Sequence, residues 1–71
     1  MIKAVSITTE YIKLDAFLKF SGICTSGGDA KQEISQGKVS VNGEVCTMRG
    51  KKLRTGDKIS VNGQELEVVS Q

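Results

Sequence analysis

Two stretches of this 71-residue chain nearly repeat one another. Lys38-Val39-Ser40-Val41-Asn42-Gly43-Glu44 and Lys58-Ile59-Ser60-Val61-Asn62-Gly63-Gln64 lie twenty residues apart. In each, apolar and polar residues alternate with the period of a strand up to an Asn-Gly pair, and a second alternating run follows: Glu44-Val45-Cys46 after the first, Gln64 to Val69 after the second. Asn-Gly tolerates the positive φ angles of a type I′ turn, which joins two antiparallel strands in the shortest possible loop. The second half of the chain is therefore committed to a small antiparallel sheet of two hairpins. Two copies are too few for a stacked repeat, and shared turn chemistry alone makes two short hairpins look alike.

The first half changes period. Val5-Ser6-Ile7-Thr8 reads as an opening strand that reaches toward Tyr11. From Lys13 onward, Leu14, Phe17 and Leu18 fall at i, i+3 and i+4, which puts them on one face of a helix. Asp15 in its first turn and Lys19 near its end suit the helix dipole, and Ser21-Gly22 ends it. Ser26-Gly27-Gly28-Asp29 has the Ser-x-x-Asp spacing of a capped helix start. A second helix is expected over about 28–36, with Ala30 and Ile34 inward, Lys31, Gln32 and Ser35 outward, and Gly37 as its stop. The element order gives an α+β fold: an N-terminal strand, then two short helices packed on a small antiparallel sheet. The final strand is expected to leave an edge open to pairing.

This length makes one domain, residues 1–71, with a thin core. A deep catalytic pocket is not expected of it. Aromatic residues are scarce (Tyr11, Phe17 and Phe20), so a multi-ring base-stacking platform cannot be assembled. Cys24 and Cys46 match neither a redox pair nor a zinc site, and histidine is absent. They read as small half-buried hydrophobes, with a disulfide left open. No cofactor or metal is implied. No apolar run approaches a membrane span of roughly 20 residues, and Met1 to Ser6 lacks the core of a signal peptide. A cytoplasmic, membrane-free, monomeric protein is the expectation. Asp15, Asp29, Glu44 and Asp57 sit at helix starts and turns, where acids are structurally favoured. Without histidine there is no ordinary proton shuttle near neutral pH, so the chain is read as non-catalytic.

Charge supplies the functional signal. Arg49, Lys51, Lys52 and Arg54 crowd into six residues with no acid among them, while the whole chain carries only +2. A nearly neutral domain with one concentrated basic segment suits a polyanion, and phosphate backbones are the usual one. A solvated loop that aids solubility explains the same run. Likewise Ser26-Gly27-Gly28 reads either as cap and loop or as a phosphate seat, where free amides and the helix dipole meet an anion.

Taken in order, Lys13-Leu14-Asp15-Ala16-Phe17-Leu18, Gly22-Ile23, Ser26-Gly27-Gly28-Asp29-Ala30-Lys31, Ile34, Gly37-Lys38-Val39, Val41-Asn42-Gly43-Glu44 and Leu53-Arg54-Thr55-Gly56-Asp57-Lys58-Ile59 resemble the RNA-binding module first described in small-subunit ribosomal protein S-four, the αL motif. The likeness covers about residues 13–61. It is greatest to free-standing bacterial members, through the Ser-Gly-Gly-x-Ala-Lys step and Arg49-Gly50-Lys51-Lys52-Leu53. Many relatives carry a basic residue where Gly27 and Gly28 stand, so the helix start here should depend more on backbone amides.

The resemblance implies non-catalytic binding of structured RNA, with ribosomal RNA or a ribosomal subunit as the partner. The expected contacts are Ser26, Gly27, Gly28 and Lys31 of the second helix, Lys38 after it, and Arg49, Lys51, Lys52 and Arg54 after the first hairpin. Two rivals remain. One is a protein-binding adaptor whose basic segment meets an acidic partner. The other is a β-grasp sulfur carrier, whose reactive Gly-Gly tail is missing from Val68-Val69-Ser70-Gln71.

Overall fold

The computed structural model describes residues 2–70, so expectations that involve Met1 or Gln71 lie outside the described residues. In chain order the elements are β1 (Ile2–Ile7), β2 (Ile12–Lys13), α1 (Leu14–Phe20), α2 (Gly27–Ser35), β3 (Val39–Val41), β4 (Glu44–Val45), β5 (Lys52–Leu53), β6 (Lys58–Val61) and β7 (Gln64–Ser70). Five strands form one sheet in the order β1-β7-β6-β3-β4, and β2 pairs with β5 in a separate two-stranded ribbon.

Both hairpins form as their sequences dictate. Asn42 and Asn62 take φ angles of 52° and 51°, followed by Gly43 at 88° and Gly63 at 80°, the doubly positive pattern of a type I′ turn. The hairpins then pair with each other through β3 and β6, with Val39 opposite Val61, Ser40 opposite Ser60 and Val41 opposite Ile59. The near-repeat in sequence is thus a local two-fold in space, centred on the two serines. Its two turns are tied differently. The Asn42 side chain accepts from the Lys58 amide (2.9 Å) and donates to Asp57 Oδ1 (3.2 Å), while Asn62 donates to Glu33 of α2 at 3.4 Å.

The helices end where their glycines stand. In α2, Gly37 donates to the Ile34 carbonyl (3.1 Å) and Lys38 to the Glu33 carbonyl (3.2 Å), the bond pair of a Schellman stop. At the other end Ser26 Oγ accepts from the Asp29 amide at 3.2 Å. Both helices cover one face of the sheet. Leu14, Phe17 and Leu18 of α1 and Ala30 and Ile34 of α2 meet Val39, Val41, Ile59, Val61, Leu66 and Val68 in a single core. A fully buried side chain of the Leu, Ile or Phe class contributes roughly 1.5–3 kcal/mol, and Phe17, Leu14, Leu18, Ile34 and Leu53 are all of that kind.

Two expectations are corrected. The sheet is mixed, because β1 runs parallel to β7 with Val5 opposite Val68. The final strand is not an edge, because β1 lies on one side of it and β6 on the other. The cause is the alternation in β1 itself: Val5 and Ile7 are buried and complete the core beyond β7, a non-local match that no turn signal announces.

Candidate nucleic-acid interface

The basic segment begins as a loop and ends as part of the frame. α1 has no side-chain N-cap. Two of its first amides are met instead by carbonyls of the basic segment: Leu14 donates to Lys51 O (2.9 Å) and Asp15 to Arg49 O (3.1 Å). These are amides that a helix start leaves without an internal partner. The next residues, Lys52 and Leu53, form β5 against β2, with Ile12 opposite Leu53 and Lys13 opposite Lys52. Leu53 is fully buried and anchors the ribbon. Arg54 then donates its amide to Asp57 Oδ2 at 2.9 Å and accepts from the Asp57 amide at 3.0 Å. Arg49, Lys51, Lys52 and Arg54 therefore project from backbone fixed at several points.

The glycine-led start of α2 stands on the other side of α1. Asp15, Ala16 and Lys19 of α1 line a shallow groove with Gly27. A Cβ at Gly27 would meet nothing within 4 Å, and one at Gly28 would meet only Ser26 Oγ, at 3.8 Å. The glycines are not required by packing, and they leave the first amides of α2 uncovered. The flanks of α2 differ in charge. Gly27 and Lys31, one turn apart, lie to one side of the buried Ala30 and Ile34. Asp29 and Glu33, also one turn apart, lie to the other, in a cleft shared with Cys24, Thr25 and Asn62. There Thr25 donates to Asp29 Oδ2 at 2.8 Å. The Cys24 thiol is pushed above its ordinary value by burial first, then by the Glu33 and Asp29 charges. Cys24 and Cys46 are both free thiols.

Asp15 joins the two halves: its amide bonds the Arg49 carbonyl, and it shares a groove with Gly27. Gly27, between Ser26 and Gly28, thus lies beside the same first turn of α1 that the basic segment caps, with Lys31 one turn along α2. Lys52 belongs to the ribbon, and Arg54 follows it directly. Lys51 points elsewhere, into a groove with Val41, Glu44, Val45, Cys46 and Met48. Lys38 stands apart from the others. Ten residues lie between it and Gly27, and the helix, Gly27–Ser35, alone spans about 12 Å at 1.5 Å per residue. Acids also border this surface. Arg54 Nη1 lies 3.6 Å from Glu10 Oε1, an exposed pair of the kind worth little in water.

Lys13, Lys19 and Tyr11 enter the surface without having been singled out by sequence. Lys13 faces Lys52 directly, and Lys52 Nζ lies 4.9 Å from the centre of the Tyr11 ring. The Tyr11-x-Lys13 alternation was the available signal. Among the described residues, no group of Cys, Asp and Glu gathers closely enough to hold a metal ion, and no helix is long and apolar enough to cross a membrane.

Comparison with known proteins identifies the family and the fold. The S4 domain family model matches residues 5–69. The Bacillus subtilis "Probable ribosome maturation protein RlbA" is 43% identical over 63 residues, 89% of each chain. The Escherichia coli "Putative RNA-binding protein YbcJ" is 35% identical over 60 residues, 84% of this chain and 86% of that one. The solution structure of Escherichia coli YbcJ, described as revealing an αL motif involved in RNA-binding, superposes with a TM-score of 0.69 at 31% identity, over 96% of this chain and 85% of the other. Ribosomal protein S4e of Thermoplasma acidophilum, at 19% identity and a TM-score of 0.62, shares the fold over 82% of this chain and 31% of its own length. With its two helices, mixed sheet and αL motif, and with nearly its whole length matched, the chain belongs to the S4 domain family.

Proposed function

We propose that this protein is a non-catalytic binder of structured RNA, with ribosomal RNA as its target on a ribosomal subunit or assembly particle, and that it acts as a monomer in the cytoplasm. The observation that carries the reading is the capping of α1 by the carbonyls of Arg49 and Lys51. It ties the Arg49–Lys51 backbone to the first turn of α1, whose Asp15 and Ala16 line a groove with Gly27, and this supports a reading in which cations and free amides act on one phosphate backbone. Arg49 and Arg54 suit bidentate phosphate contacts, while Lys31 and Lys52 act as point charges; Lys51, in its separate groove, would be an outlying contact. Ser26, Gly27 and Gly28 seat a further phosphate on amides. Lys38, beyond the far end of α2, would be reached only by a more distant phosphate. The deep groove of an A-form helix excludes side chains, so shape, phosphates and 2′-hydroxyls are what is recognised. The names of the B. subtilis and E. coli relatives support an RNA partner.

The test is the affinity of the protein for ribosomal RNA fragments, with and without Arg49→Glu plus Lys52→Glu. The double variant should fold normally, since surface changes usually cost within about 0.5 kcal/mol, and should bind at least about tenfold more weakly, as expected for two reversed charges in contact with phosphate. Unchanged affinity in a folded double variant would refute the reading. If the wild type retained no RNA and the double variant lost a protein partner instead, the adaptor reading would replace it.

A further inference from the structure

The β2–β5 ribbon carries a feature that phosphate contacts alone do not use. Its inner side is Ile12 and Leu53, and its outer side sets Lys13 against Lys52. Tyr11 comes directly before β2 and Arg54 directly after β5. A ring and two cations thus share one short surface. Like charges placed directly opposite across an antiparallel pair destabilise it. Among the described residues neither lysine is ion-paired; the ion pair here is Arg54 with Glu10. An anion between the two lysines would relieve that repulsion.

Tyr11 is placed to serve the same ligand. Its backbone is held by Thr9, whose hydroxyl donates to the Tyr11 carbonyl at 2.8 Å. The residue is 36% exposed, with the Lys52 ammonium over its ring. An exposed ring beside a phosphate seat is the arrangement by which proteins hold an unstacked base. In a continuous duplex every base face is already covered by its neighbours, and no ring could reach one.

We infer that the outer side of the β2–β5 ribbon holds one unpaired nucleotide, its phosphate between Lys13 and Lys52 and its base against Tyr11. The preferred ligand is then an RNA helix interrupted by an unpaired nucleotide, not an unbroken one. This inference rests on the RNA-binding reading above and narrows its substrate.

The chain has one tyrosine and no tryptophan, so tyrosine emission reports Tyr11 alone. Two probes suffice: a blunt RNA duplex, and the same duplex carrying one unpaired nucleotide. Their near-equal absorbance makes each the optical control for the other. The interrupted duplex should bind roughly tenfold tighter, as one base–aromatic stack provides, and should quench the emission. Tyr11→Ala should bind both RNAs with the affinity that the wild type has for the blunt duplex, and Tyr11→Phe should keep the preference. Equal wild-type affinities with unchanged emission would overturn the inference while leaving RNA binding intact. A Tyr11→Ala variant weakened equally on both RNAs would also overturn it, since the ring would then serve only to support Lys52. Failure of the wild type to bind either duplex would remove this inference and the RNA-binding reading together.

Discussion

At the scale of single residues, Gly27 separates a structural role from a functional one. Its position in α2 is ordinary helix, and a Cβ there would meet open space. Gly27→Ala should therefore keep or raise stability, by up to about 1 kcal/mol, since glycine is the poorer helix residue. It should nonetheless weaken RNA binding severalfold, because a methyl group would stand where a phosphate approaches the amides. Stability from urea unfolding and affinity from filter binding should move in opposite directions; a variant unchanged in affinity would reduce Gly27 to a loop residue. Cys24 gives a second residue-scale expectation. Burial and the neighbouring acids raise its thiol above the ordinary 9.0, so the folded state keeps a proton that the unfolded chain releases. Its stabilising contribution is whole below the unfolded value and is lost as pH rises toward and through the raised one. A thiol reagent at mildly alkaline pH should accordingly modify half-buried Cys46 quickly and buried Cys24 only on unfolding. Two equally fast thiols would contradict this.

At the scale of elements, the two Asn-Gly turns share backbone geometry and differ in what their side chains hold. Asn42 ties the β3–β4 turn to the start of β6 through two bonds at 2.9 and 3.2 Å, whereas Asn62 makes one, at 3.4 Å. The positive φ is nearly identical at both, so its cost cancels between them. Asn42→Ala should destabilise more than Asn62→Ala, by about 1 kcal/mol, the worth of an additional satisfied hydrogen bond. Equal midpoint shifts in urea would show that the turn, and not the tether, sets the cost. These hairpins and both helices were legible in sequence because their signals are local: Asn-Gly for the turns, Leu14, Phe17 and Leu18 for α1, Ser26 and Gly37 for the limits of α2. The β2–β5 ribbon was not legible. Each of its strands has two residues, too few for periodicity to register, and its pairing joins Ile12 to Leu53 across most of the chain.

At the scale of the whole molecule, long-range pairing does what local pattern could not disclose. β1 closes the sheet beside β7 and removes an edge from the last strand. The basic segment, conspicuous as charge, caps α1 through its carbonyls, and backbone groups leave no trace in a side-chain pattern. The chain of positions from charge cluster to surface was therefore only half visible: sequence marked Arg49, Lys51, Lys52 and Arg54, while the fold adds Lys13 and Lys19 and sets Lys38 apart at the far end of α2. The central claim is that several of these cations meet one phosphate backbone together. The dependence of RNA affinity on salt measures this most directly. With about four phosphates neutralised, log affinity should fall against log salt with a slope of about −3 to −4, and Arg49→Glu plus Lys52→Glu should make that slope shallower by about 1–2. A slope near zero, or one unchanged in the double variant, would contradict the account.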